Sequence, residues 1–166
     1  MKSNAVERIN LPESAPYTMV YIDRYEDHMP HGEFVNSYLD APASFSGFCD
    51  LILKLDNLYD YLDFPRADRA DRFFLKHRQP DYDRLAPYIK RYYNFVPMHE
   101  KRNKKGMLLT FLIKTRFRLH GSWQGTMIWI DEDPVSRRFI STLQCMKLMD
   151  EALRAVLDQT GLDCIS

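Results

Sequence analysis

One order of elements occurs twice in this chain, and that repetition limits the folds open to it. Residues 17–62 read as strand, turn, strand and amphipathic helix, and residues 106–158 read the same way. In the first stretch "YTMVYIDRY" alternates, with Tyr17, Met19, Tyr21 and Tyr25 on one face and Val20 and Ile22 on the other. "EDHMPHG" supplies turn residues and "EFVNSYL" returns as the second strand. Ser44 is then placed to cap a helix whose stripe runs Phe45, Phe48, Leu51, Ile52, Leu55, Leu58, Tyr59 and Leu62, with Asp50, Asp56 and Asp60 off the stripe toward water.

In the second stretch "GMLLTFLIKTRFRLH" is a long strand, Gly121-Ser122 a turn signal and "QGTMIWID" the return. Ser136 is the candidate cap of a helix striped with Phe139, Leu143, Met146, Met149, Leu153, Val156 and Leu157. The spacings agree: Gly32 to Phe45 is 13 residues, Gly125 to Phe139 is 14, and Phe45 to Asp56 and Phe139 to Asp150 are both 11. Few letters match, so order and spacing carry the duplication. The expected fold is α+β: two ββα units forming an antiparallel sheet of about four strands, two long helices on one face, and a helical basic linker. A mixed sheet with splayed halves is the alternative.

With 166 residues, 45% apolar and 28% charged, the chain has the makings of one full core, and disordered or fibrous classes are excluded. The expectation is a single domain over 1–166, with units at 17–62 and 106–158 joined by a basic, partly helical linker at 63–105. No run of about 18 uncharged apolar residues occurs and the first residues are polar, so a soluble, cytoplasmic protein without a membrane partner is expected. Cys49, Cys145 and Cys164 are too few and too far apart for a disulfide framework and read as buried packing in a reducing compartment.

Net charge is zero, yet the charges are sorted. Residues 1–63 hold 4 basic and 11 acidic side chains, whereas residues 76–118 hold 12 and 3. Such a division suits an anionic partner, or acidic and basic parts that face each other within the fold or across a dimer. "DFPRADRADRFF" reads as a short solvated helix begun at Asp63 and Pro65. Beyond it Lys90, Arg91 and Tyr92 interleave cations with an aromatic, and Lys101, Arg102, Lys104 and Lys105 follow. Basic residues mixed with aromatic ones are what a nucleic-acid groove uses, and also what a linker packing its tyrosines on a core displays.

"KTRFRLHGSWQGTMIW" (114 to 129) presents a second basic feature. A three-residue loop of Gly121, Ser122 and Trp123 sorts polarity best: Lys114, Arg116, Arg118, His120, Gln124 and Thr126 take the outer face, and Phe117 and Leu119 join Gly125, Met127 and Trp129 in the core. Trp123 is then exposed near the turn. A cationic row ending in a tryptophan suits a phosphate-bearing ligand, and it equally suits an ordinary solvent face.

"HGSWQG" (His120 to Gly125) resembles half of the signature of PilZ domains, the bacterial cyclic-di-GMP receptors, through Ser122 and Gly125. His120 stands where that signature has Asp or Asn, and the upstream Arg-x-x-x-Arg half is absent from the chain. The resemblance implies a cyclic-dinucleotide ligand. The chain as a whole resembles small hypothetical bacterial proteins that share a "SWQGT" hairpin followed by an apolar helix, a resemblance that brings no activity with it.

Glu26, Asp27, His28, His31 and Glu33 form a cluster that reads either as a divalent-metal loop or as a polar hairpin turn. Phosphate-binding glycine loops, nucleophile elbows and Cys-x-x-Cys pairs are absent, so no catalytic residue, cofactor or metal is named. Two readings go forward. One is a small intracellular, non-enzymatic adaptor or regulatory protein acting through protein contacts or self-association. The other is a nucleic-acid or nucleotide module using the central basic segment and the Lys114 to His120 row.

Overall fold

A computed structural model of the chain describes residues 17–69, 74, 88, 105–130 and 133–161. Six strands, β1 (Tyr17–Glu26), β2 (Met29–Asn36), β3 (Ala43–Ser46), β4 (Leu109–Leu119), β5 (Ser122–Trp129) and β6 (Val135–Phe139), form one antiparallel sheet. The strand order is β3-β2-β1-β4-β5-β6. Helix α1 (Gly47–Leu62) follows β3, and α2 (Thr142–Thr160) follows β6. Among the described residues no helix is long and apolar enough to cross a membrane.

Each half is thus a βββα unit. The expected sheet of about four strands, built from two ββα units with two long helices on one face, is corrected to six strands in one open sheet. The two extra strands come from residues that the helical stripes absorbed. Phe45 and Phe139 suit the three-and-four spacing of the helices after them, yet they are strand residues paired with Gly32 and Gly125. Both helices consequently begin later than expected, with Ser46 and Ser141 at their N-caps in place of Ser44 and Ser136, and Ser141 Oγ accepts from Gln144 N at 3.1 Å.

The halves are related by an approximate two-fold axis through the middle of the sheet. β1 and β4 pair with Met19 opposite Leu112, and the flanking pairs Tyr17–Lys114 and Tyr21–Thr110 exchange across that point. Equivalent features lie 93 residues apart, as Gly32 and Gly125 do. Both hairpins close on two residues with positive φ, Asp27-His28 (52° and 60°) and His120-Gly121 (59° and 68°), the conformation whose twist suits a tight antiparallel turn. Pro30, His31 and Gly32, expected in a turn, therefore lie inside β2.

The core follows from alternation. Val20, Ile22, Phe34, Phe45, Phe111, Ile113, Met127 and Phe139 pack with Leu51, Leu55, Leu58 and Tyr59 of α1 and Cys145, Met149, Leu153 and Leu157 of α2. Met19, Tyr21 and Val35 alternate with these and form a second buried cluster with Tyr17, Leu112 and Ile130.

Both long strands carry a bulge three residues before their turn, between Ile22 and Arg24 and between Thr115 and Phe117. Opposite each bulge sits a glycine. A Cβ on Gly32 would lie 1.9 Å from Tyr21 O, and one on Gly125 would lie 2.0 Å from Lys114 O and 2.8 Å from the Phe139 ring. Gly32→Ala and Gly125→Ala are each expected to lower the unfolding free energy by about 2 kcal/mol or more, read by urea titration. Unchanged stability would contradict the close approach of the strands.

Candidate functional site

The bulge in β4 decides what the expected basic row presents. Up to Thr115 the strand alternates simply: Phe111, Ile113 and Thr115 are buried toward the helices, while Lys114 points to the other face beside Tyr17. One extra residue, Arg116, then shifts the register, because Thr115 pairs with Gly125 and Phe117 with Gln124. Every side chain beyond it changes face. Arg118 turns inward and Phe117 and Leu119 turn outward.

Inward, Arg118 meets α1 and is 5% exposed. Its Nη2 donates to Asp60 Oδ1 at 2.6 Å and to Asp56 Oδ1 at 3.0 Å, and its Nη1 to Pro65 O at 3.4 Å. Asp56 and Asp60 are one helical turn apart, so one guanidinium reaches both. They lie off the buried stripe of α1 as expected, but they are only partly exposed and are turned to Arg118 of the sheet. Trp123, opposite Arg118 in β5, donates Nε1–H to Asp56 Oδ1 at 2.9 Å and meets the Tyr59 ring edge-on at 5.2 Å. Tyr59 OH lies 2.9 Å from Thr115 Oγ1, and burial pushes the phenol up to about 12. Burial also acts to lower the Arg118 pKa, but the charges of Asp56 and Asp60 outweigh it and the group stays cationic.

The same network holds the chain beyond α1. Asp63 caps the helix with φ 48°, so Asp63 and Pro65 end α1 and do not begin another helix, contrary to the sequence expectation. Ala67 bridges Arg118, Asp68 N donates to Arg118 O at 3.1 Å, and Asp68 Oδ2 accepts from His120 N at 2.9 Å. That bond from the His120 backbone holds the Asp68 carboxyl below its ordinary value. A lowered carboxylate contributes stability above its unfolded pKa, and the contribution is lost as pH falls through its folded value.

Among the described residues, the expected ligand residues do not form one surface. Lys114 donates to Tyr17 OH at 2.6 Å on the face away from the helices, and Arg118 and Trp123 are interior. Trp123 is thus not the exposed stacking residue that the three-residue loop requires; the turn is His120-Gly121. Arg116 and His120 are exposed, as is Lys105. Lys90, Arg91, Tyr92, Lys101, Arg102 and Lys104 lie outside the described residues. Of the cysteines, Cys145 is buried, its thiol pushed up to about 12, and Cys49 is exposed, contrary to expectation. His31 bonds Ser46 Oγ at 3.1 Å, and among the described residues no group of three metal-ligating side chains assembles around it. Ser122 and Gly125 serve the fold: Ser122 Oγ bonds the start of α2 at Thr142, and Gly125 admits the β4 backbone.

Outward, the switch leaves an apolar end on the sheet. Phe117 is 56% exposed, Leu119 41% and Ile140 75%. Gln124 ties these segments together: it accepts from Leu119 N at 3.0 Å and donates to Leu119 O at 3.0 Å and Ile140 O at 3.4 Å. Strict alternation places Phe117 and Leu119 in the core because it has no room for an extra residue. The signal available was the pair Asp56 and Asp60, two carboxylates in need of a cation.

No protein-family model, curated protein or solved structure matches the chain. Arg118→Leu takes the guanidinium away from the partly buried carboxylates of Asp56 and Asp60 and is expected to cost about 3–5 kcal/mol of stability, whereas the exposed Arg116→Leu costs under about 0.5 kcal/mol. Thermal and urea unfolding of the two variants make the comparison. Equal effects would remove Arg118 from its structural role.

Proposed function

We propose that the protein is a small cytoplasmic, non-enzymatic adaptor or regulatory protein that acts through protein contacts, with a second copy or another protein as partner. The observation that carries this reading is the set of exposed apolar side chains Phe117, Leu119 and Ile140 around Gln124 at one end of the sheet. Apolar side chains gathered on a folded surface favour burial against a partner.

The internal two-fold provides a control. At the other end of the sheet the positions of Phe117, Leu119 and Ile140 are occupied by Arg24, Glu26 and Ser46. Arg24 and Glu26 pair at 3.0 Å, and Ser46 bonds His31. The fold is thus compatible with a solvated end, and its architecture does not require the apolar one. The nucleic-acid or nucleotide reading, with its cyclic-dinucleotide form, has less support, because Arg118 at the middle of the cationic row is engaged with Asp56 and Asp60.

Replacing Phe117 and Ile140 together by Asp should abolish self-association in sedimentation velocity and capture of partner proteins from cytosol. At exposed positions the double variant should hold its unfolding free energy to within about 1 kcal/mol. Unaltered association by a folded double variant would overturn the reading. Retention by nucleic acid that declines steeply with salt would favour the other reading.

A further inference from the structure

The two edges of the sheet are finished differently. At the β3 edge, Ser44 O accepts from Lys54 Nζ at 2.8 Å and Ser46 N donates to Asp50 Oδ2 at 3.1 Å. Lys54 and Asp50 pair with each other at 2.9 Å. Side chains of α1 thus occupy backbone groups that point away from β2. The equivalent positions in the second half lie 94 residues on, as Phe139 does from Phe45: Arg138, Ile140, Gln144 and Leu148.

One of the two contacts is reproduced, since Ile140 N donates to Gln144 Oε1 at 2.8 Å. The other is not, because Leu148 has no donor to offer the Arg138 carbonyl. Among the described residues, the one bond to β6 other than its pairing with β5 is Arg137 Nη1 to Ser136 O at 2.9 Å, from a neighbouring side chain. β6 is exposed from Val135 to Arg138. An edge of this kind presents unused N–H and C=O groups spaced for another strand.

Charge selects what is added. Arg137 and Arg138 point to alternate sides of the edge, and among the described residues neither has a carboxylate partner. A second copy paired through β6 would set these arginines against their own counterparts, which disfavours it. An extended segment with carboxylates opposite Arg138 and an apolar residue two positions along, opposite Ile140, meets both the charge and the exposed side chain.

We propose that β6 is a docking edge that takes an extended acidic segment of a partner protein by strand addition. The inference rests on the protein-contact reading and names the partner's chemistry. The test titrates the full 15N-labelled chain with a peptide about eight residues long in which Glu and Val take turns at every second position with Thr between them, so that Val stands two positions from Glu; its Lys-Val counterpart carries Lys in place of Glu. Amide shifts should concentrate on Ser136 and Arg138. The same peptide N-methylated at alternate residues, and a Lys-Val peptide, should each bind at least about tenfold more weakly. Arg137→Glu with Arg138→Glu should reverse the preference toward the Lys-Val peptide.

Absent or scattered shifts, equal binding of all three peptides, or an unreversed preference would overturn the proposal. The Phe117→Asp variant separates it from the broader reading, because Phe117 lies two strands away and should leave peptide binding intact. If Phe117→Asp abolishes association while no peptide binds the parent chain, the edge proposal fails and the protein-contact reading stands.

Discussion

The ion pair of Arg118 with Asp56 and Asp60 is the constraint on which this half of the molecule depends. A buried guanidinium is tolerable only with its charge met at close range, and the two carboxylates on one helical turn meet that of Arg118, whose side chain is 6% exposed, at 2.6 and 3.0 Å. To reach them, Arg118 must point opposite to where simple alternation from Lys114 would send it. The bulge at Arg116 provides that reversal. Everything around it follows: Trp123 is drawn to Asp56, the segment through Asp68 is laid along β4, and Phe117 and Leu119 are turned to solvent.

Duplication explains how the bulge fits in. Both halves have a bulge at the same distance from the turn and a glycine across from it, so the backbone device belongs to the repeated unit. What the bulge turns inward differs between the halves. In the first half the inward residue is Tyr25, packed against the core, and the outward residues are Arg24 and Glu26. In the second the inward residue is the cation and the outward residues are apolar. The second half therefore carries an exposed apolar end and an open edge where the first has paired charges and a capped edge.

Much of this was legible in the sequence, and the rest was hidden for identifiable reasons. The spacing of Gly32 to Phe45 against Gly125 to Phe139 located two pairs that are register partners in the sheet. Periodicity then misled, since a phenylalanine at the end of a short strand also suits the stripe of the helix that follows it. β3 and β6 vanished into the helices for that reason. Strict alternation failed at Arg116 because one inserted residue leaves no mark in composition, and with it went the placement of Arg118, Trp123, Phe117 and Leu119. Turn position misled as well: His120 takes φ 59°, so the loop begins one residue before the glycine.

β4 reverses its faces at Arg116, and Trp123 lies inside with Phe117 and Ile140 outside. Hydroxyl-radical footprinting with mass spectrometry tests it most directly, because an exposed tryptophan is intrinsically more reactive than phenylalanine or isoleucine. With the faces reversed, Trp123 is protected in the folded chain while Phe117 and Ile140 are oxidised at rates close to those of the unfolded chain. Rapid oxidation of Trp123 with protection of Phe117 would mean that the strand runs without the bulge and that Arg118 does not reach Asp56 and Asp60.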